Sequence, residues 1–231
     1  MSEAEKQRPD SFINKDDGRQ FWQSRDADED SMIGISSVLP SLSKVDLEGS
    51  RSFLAKLGIG SDHGLHAIGY ALEGGAGIGR FTRSVLLNVA EQVDVIEPID
   101  KFTENLKGVD GIRNIFNFGL EEWHPAQGVK YDLIWNQGCI CHLTDAQVVQ
   151  YLNKCKATLK SKDSLIIIKE NLSIRGVDVF DSVDSTVTRE NRKFLSLFQQ
   201  AGLRLVEAEN QSGLPGTFLP VKMYALAQSE D

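Results

Sequence analysis

The chain predicts an open α/β fold, a mostly parallel sheet with helices on both of its faces. Three observations carry this. From Ala67 onward, strand-like and helix-like segments alternate, which is the pattern of repeated strand–helix–strand units. The run Tyr131-Asp132-Leu133-Ile134-Trp135 is nearly continuous in apolar character, as expected of a strand buried on both faces. Four glycines fall within six positions, in Gly74-Gly75-Ala76-Gly77-Ile78-Gly79, between a strand pattern and a helix pattern.

The elements follow in order. Residues 1–20 are polar and expected to be mobile, with a short helix over 18–24 that presents Phe21 and Trp22. The acidic run 25–30 reads as a solvated loop, and 32–38 mixes apolar and small residues. Residues 46–57 have helical spacing, with Leu47, Phe53, Leu54 and Leu57 on one side. Strand 67–73 leads through the glycines to a helix over 80–90, whose buried stripe is Phe81, Val85, Leu86 and Val89. Strand 93–97, short helix 100–107, strand 112–118 and strand 131–135 come next. Thr144-Asp145-Ala146-Gln147 is a capping-box pattern opening a helix to 159. Strand 165–169 precedes a helix over 189–201, which Gly202 ends. Residues 203–208 and 221–227 read as a closing antiparallel pair. The expected organisation is an N-terminal helical extension, 1–57, and an α/β domain, 58–231.

Composition narrows the function. With 231 residues, 41% of them hydrophobic and 25% charged, the chain is an ordinary globular protein with enough length for a core. A net charge of −8 argues against general nucleic-acid affinity and suits a basic peptide partner. Three cysteines, Cys139, Cys141 and Cys155, make no even disulfide framework and no paired metal-ligand spacing, so reduced thiols and no metal site are expected. The N-terminus lacks an apolar signal core, and no apolar run approaches the roughly 20 residues that span a bilayer. A cytoplasmic protein is expected, with nuclear access open, no membrane partner, and a monomeric state.

The glycine loop favours one cofactor. A sharp turn from strand to helix needs residues that accept positive φ and let backbone approach a ligand, and Gly75, Gly77 and Gly79 fit that need. The spacing is G-x-G-x-G, whereas dinucleotide loops use G-x-G-x-x-G and seat a pyrophosphate on the helix N-terminus. Glu73, two positions before Gly75, would repel a pyrophosphate and suit the cationic aminoacyl end of S-adenosylmethionine. Glu97 ends the next strand, where a carboxylate can accept both ribose hydroxyls. Such bonds to a charged group contribute roughly 1.5–3 kcal/mol. Because ligands of open α/β sheets bind outside the carboxyl ends of the strands, the segments 73–79, 97, 119–121, 136–142 and 170–171 should surround one crevice.

Several strings carry a family resemblance: Gly74-Gly75-Ala76-Gly77-Ile78-Gly79-Arg80, Tyr131-Asp132-Leu133-Ile134-Trp135, His142-Leu143-Thr144-Asp145, Ile168-Lys169-Glu170-Asn171 and Asp181-Ser182-Val183-Asp184-Ser185. In order and spacing, from 18 to 226, the chain resembles the eukaryotic protein N-terminal α-amino methyltransferases, with the pair Phe21-Trp22 matching their N-terminal helix and a fungal member suggested. The resemblance implies the class I S-adenosylmethionine-dependent methyltransferase fold, a seven-stranded, mostly parallel Rossmann-like sheet. It also implies methyl transfer to the free α-amine of proteins beginning X-Pro-Lys or X-Pro-Arg after Met removal, ribosomal proteins among them, giving mono-, di- or trimethylated N-termini. By the same resemblance Gly75, Gly77, Arg80, Glu97, Leu120, Glu121 and Gln137 bind the cofactor, Arg80 meeting its carboxylate and Leu120 and Glu121 its adenine. Asn171 and Asp184 hold the target amine, His142 is a candidate proton acceptor, Asp181 meets the basic third residue, and Trp22 walls the substrate. The chain departs from the family at Gly138, where Trp is expected, at Thr217-Phe218-Leu219, and in a loop one residue longer between Asn171 and Asp181.

The residues have plainer readings beside these. His142 could serve only the helix start, Trp135 the core, Trp22 the docking of the N-terminal arm, and Asn171 a turn. Asp178, Asp181 and Asp184 would share and repel on one helix face, so a solvated loop or a site for a cationic peptide remains. A small-molecule methyltransferase on the same sheet is the alternative function. A non-catalytic module holding protein N-termini is a third, against which the intact glycine loop speaks.

Overall fold

The computed structural model describes residues 8–33 and 41–229. Strands β1 (Ile68–Gly74), β2 (Ala90–Ile96), β3 (Ile112–Phe116), β4 (Leu133–Gln137), β5 (Leu165–Asn171), β8 (Leu203–Asn210) and β9 (Val221–Gln228) form one seven-stranded sheet in the order β3-β2-β1-β4-β5-β9-β8. The five strands from β3 to β5 run parallel, and β9 pairs antiparallel with both β5 and β8. A separate hairpin, β6 (Val179–Asp181) and β7 (Thr186–Thr188), leaves the carboxyl end of β5.

Alternation along each strand sends side chains to opposite faces, and two cores result. On one face Leu72, Ile134, Ile166 and Ile168 pack with Val148, Tyr151 and Leu152 of α6 (Asp145–Ala157) and with Phe194, Leu197 and Phe198 of α7 (Asn191–Gln200). On the other, Ala71, Val93, Val95, Leu133, Trp135 and Ile167 pack with Leu47, Phe53 and Leu54 of α3 (Ser41–Lys56) and with Phe81, Val85 and Leu86. Trp135 is core and stacks on Phe81 at 4.2 Å. The N-terminal residues carry α1 (Lys15–Gln23) and α2 (Glu29–Ile33), and a short α5 (Asp100–Thr103) follows β2.

Several elements differ from their sequence signals. Residues 8–20 are ordered rather than loose: Pro9–Phe12 makes a 3-10 turn, and buried Asp10 accepts the Asp145 N–H at 3.0 Å. Residues 1–7 of the expected mobile stretch, and 34–38 of the mixed one, lie outside the described residues. The acidic loop ends early because Glu29 and Asp30 open α2, with Asp28 accepting from Ser31 N–H at 2.8 Å. The helix after the glycine loop is a π turn over Thr82–Leu86 running into the three-residue α4 (Leu87–Val89), since Ala90 already pairs with Ile68 in the sheet. Arg189 precedes α7 instead of opening it. Its guanidinium is fully buried and bonded to Asp145 and to the carbonyls of Ile140 and Leu143. Asp181 and Asp184 lie on the β6–β7 hairpin and Asp178 just before it, where Asp178 finds Lys193 of α7 at 3.6 Å.

The capping box at α6 is made as the sequence implies. Thr144 Oγ1 accepts from Gln147 N–H, and Gln147 Oε1 accepts from Thr144 N–H at 2.8 Å. Among the described residues no helix is long and apolar enough to cross a membrane, and no group of three or more His, Cys, Asp or Glu could hold a metal ion. Thr144→Ala should lower stability by about 1 kcal/mol, the usual cost of a lost N-cap. A shift of the urea midpoint with an unchanged slope is the expected record.

Candidate active site

The carboxyl ends of the parallel strands open on a cavity of about 330 Å³. Its floor is the glycine loop. Gly75 and Gly77 take φ of 69° and 54°, which L side chains resist. Packing forbids a side chain as well, because a Cβ at Gly75 would lie 2.3 Å from Cys139 Cβ and one at Gly77 2.8 Å from Met32 Sδ. The loop is tied to β2 by Gly75 and Ala76 N–H, which donate to Ile96 O at 2.8 and 3.1 Å.

Glu97 sits just past β2 and is buried. Its Oε2 accepts the Gly77 N–H at 2.8 Å and its Oε1 the Ile99 N–H at 2.9 Å. A carboxylate has about four acceptor positions, so each oxygen keeps one for a ligand hydroxyl. Burial pushes its pKa up to about 7, against the two backbone donors. Glu73 is also buried, accepts from the Thr82 hydroxyl, and is pushed by burial up to about 8. The charge expected of Glu73 is therefore largely absent at neutral pH, because desolvation outweighs its hydrogen bond and the nearby Arg80.

The opposite wall is the turn Ile140–His142 after β4. Buried Glu170 accepts the Cys139 and Ile140 N–H groups at 2.8 and 2.9 Å, while Arg189 holds the Ile140 carbonyl at 3.1 Å. The turn is thus clamped from both sides, which sets His142. The indole Nε1 of Trp22 donates to His142 Nε2 at 3.0 Å, and Trp22 lies edge-on to Phe102. Burial holds the His142 pKa below its ordinary value, opposed by the Asp184 charge. α1 forms the roof. It is fastened by Asn14 N–H to Ser185 Oγ at 2.8 Å, by Arg19 to Glu121 at 3.2 Å, and by Lys101 Nζ to the Gln23 carbonyl at 2.7 Å.

Of the residues singled out in the sequence, Trp22, Gly75, Gly77, Arg80, Glu97, Leu120, Glu121, Gln137 and His142 all line this one cavity, as does Gly138. Asp184 lies instead on an adjoining groove with Asp26, Asp28, Asp30 and Phe21, and the two spaces share Trp22 and Met32. Asn171 and Asp181 line neither space. Asn171 is exposed at the end of β5, and Asp181 is exposed with its Oδ1 accepting from Val183 N–H at 2.9 Å. Three residues the sequence reading left without a role support the site: Asp46, Lys169 and Arg189. An acid on the helical stripe Leu42–Asp46–Ser50 is the signal for the first, and a lysine directly after the apolar run 165–168 is the signal for the second. Arg189 carried none.

A model of the AdoMet-dependent proline di-methyltransferase family matches residues 10–227. This chain belongs to that family. It is similar to the alpha N-terminal protein methyltransferase 1 of Schizosaccharomyces pombe, at 38% identity over 94% of this chain and 97% of that one. It is similar also to the N-terminal Xaa-Pro-Lys N-methyltransferase 1 of Danio rerio, at 34% identity over 89% and 92%. Among solved structures, a SAM-dependent methyltransferase of Leishmania major matches with a TM-score of 0.79 and 31% identity, over 92% of this chain and 82% of that one. As a member of the family, this chain is an S-adenosylmethionine-dependent methyltransferase, and its sheet is the class I methyltransferase sheet. The residues fit that cofactor: Glu97 has acceptor capacity for two hydroxyls, the glycines admit close backbone approach, and Arg80 offers a cation on the same cavity.

A carboxyl raised on folding leaves the unfolded chain with fewer bound protons, so its stabilising share is full below pH 4.5 and lost as pH rises through 8. Glu73→Gln mimics the protonated form. Its stability relative to the parent should rise between pH 5 and pH 8, on the order of 1 kcal/mol per pH unit at most, and level off above. Denaturant titrations across that range would measure it, and a difference flat in pH would contradict the assignment.

Proposed function

We propose that this enzyme methylates the free α-amino group of proteins beginning X-Pro-Lys or X-Pro-Arg once Met is removed, with ribosomal proteins in its substrate range. The observation that carries the reading is the place of His142, on the cavity that fits the cofactor and bonded to the tryptophan that the cavity shares with an acidic groove. The Danio rerio relative is an Xaa-Pro-Lys N-methyltransferase by name. The bound cofactor supplies an electrophilic methyl group, so the protein's work is alignment and deprotonation.

An α-amine has a pKa of about 7.7–8.0, against about 10.4 for lysine. Deprotonation at pH 7 costs about 1 kcal/mol for the former and about 4–5 kcal/mol for the latter. A weak base is enough for an N-terminus and inadequate for a side chain. His142, kept neutral at pH 7 by burial, has its lone pair on Nε2, where the indole now donates. An incoming amine takes the indole's place at that atom. Asp184, on the groove side, opposes the ammonium charge before the proton leaves, and Asn171 at the end of β5 and Asp181 on the β6–β7 hairpin serve the peptide that follows. Asp26, Asp28 and Asp30 give the groove a charge suited to the basic third residue. Proline at position two lacks an N–H and has a fixed φ, which the aromatic walls Trp22 and Phe102 select by shape. The N-terminal extension, over its described residues 8–33 and 41–57, acts as the cover over this substrate side.

Incubation of a Ser-Pro-Lys peptide with the enzyme and S-adenosylmethionine, followed by mass spectrometry, tests the reading. Gains of one to three methyl groups are expected on the free peptide and none on its N-acetylated copy. Activity on free metabolites, with peptides untouched, would favour a small-molecule methyltransferase instead. Asp184→Asn and His142→Gln should each lower kcat by about a hundredfold or more, the range of a lost general base or its partner. Affinity for the cofactor should stay near that of the parent.

A further inference from the structure

α3 lies outside the sheet, yet one of its carboxylates reaches the groups at the ends of β4 and β5. Asp46 Oδ1 and Oδ2 each lie 3.0 Å from Gln137 Nε2. Arg80, from the glycine loop, pairs with Oδ2, and its Nη1 reaches the Ser43 carbonyl and hydroxyl at 3.4 Å. Lys169 Nζ lies 2.6 Å from Oδ1 and also donates to the Asp46 carbonyl, Ser50 Oγ and Gln211 Oε1 at 3.0, 2.8 and 2.9 Å. Lys169 is fully buried, and the carboxylate and the guanidinium are 16% and 12% exposed, so solvent screens this cluster little.

We propose that Asp46 is a positioning residue of the cofactor site: it holds Arg80 and Gln137 in the orientation that meets the amino-acid end of the cofactor, and Lys169 anchors it. The proposal rests on the reading of Arg80 and Gln137 as cofactor residues. Its physical basis is threefold. Arg80 and Gln137 are long side chains, and a ligand that had to order them would lose affinity to their entropy. Asp46 orders both beforehand. Gln137 spends its Nε2 on Asp46, and its amide oxygen, which accepts from the Trp135 indole N–H at 3.4 Å, keeps a second lone pair for an ammonium. The charges of Arg80 and Lys169 against that of Asp46 leave one net positive charge, which suits a carboxylate. A carboxylate on a helix thereby joins the N-terminal extension to the cofactor loop, to β4 and to β5.

Calorimetric dissociation constants for S-adenosylhomocysteine and 5′-methylthioadenosine separate this role from general support of the fold. The second ligand keeps the adenosine and sulfur and lacks the amino-acid arm. Asp46→Asn should weaken S-adenosylhomocysteine by about tenfold, the equivalent of one lost polar contact, and leave methylthioadenosine within about twofold of the parent. Removing one member of a buried ion pair leaves an uncompensated charge, so the Asp46→Asn/Lys169→Met double variant is measured beside it and should show the same split. Equal weakening of both ligands, or an unchanged ratio between them, would overturn the proposal. Failure of the parent protein to bind S-adenosylhomocysteine at all would overturn the cofactor reading itself, before any variant is compared.

Discussion

Parallel strands that end at one edge of a sheet release their backbone N–H groups into loops, and those groups need acceptors away from water. In this protein buried carboxylates supply them. Glu97 takes Gly77 and Ile99, and Glu170 takes Cys139 and Ile140. The glycine loop and the His142 turn owe their shapes to these two side chains. Both acids are pushed up by burial to about 7, so the loops are held by groups poised near neutrality. A buried carboxylate gathers side chains at mid-sheet too, where Asp94 receives the Tyr131 hydroxyl at 2.7 Å and Arg113 Nε at 2.9 Å.

The crevice exists because β1 leads to β2 on one side while β4 adds on the other, so the loops after β1 and β4 diverge. Residues of α1 then line it. α1 lies over the opening through Trp22, Asn14 and Arg19, and α3 reaches in from the opposite face through Asp46. Each of these bonds joins residues more than thirty positions apart in the chain, so the extension and the sheet complete one site together.

Much of this was legible in the chain. The alternation of strand and helix patterns, the glycine spacing, the capping box at Thr144 and Gln147 and the closing antiparallel pair all reappear, because each depends on local periodicity or backbone freedom. The errors have physical sources too. The apolar stripe Phe81, Val85, Leu86 and Val89 predicts a helix to residue 90, but pairing with Ile68 places Ala90 in the sheet. Arg189 looked like the polar start of a helix, and it is buried because the carbonyls of Ile140 and Leu143 and the Asp145 carboxylate satisfy it.

Sequence alone determined the fold class, the glycine turn and part of the cavity's lining, since positive-φ turns and strand-end acids are written in residue type and spacing. Only the tertiary structure decided how the charges behave. Glu73 is held neutral rather than anionic by desolvation, Asp184 sits on a neighbouring groove rather than in the main cavity, and Asp46 gathers Arg80, Gln137 and Lys169 around one carboxylate. Burial and long-range pairing set these outcomes, and neither has a local signature in the chain.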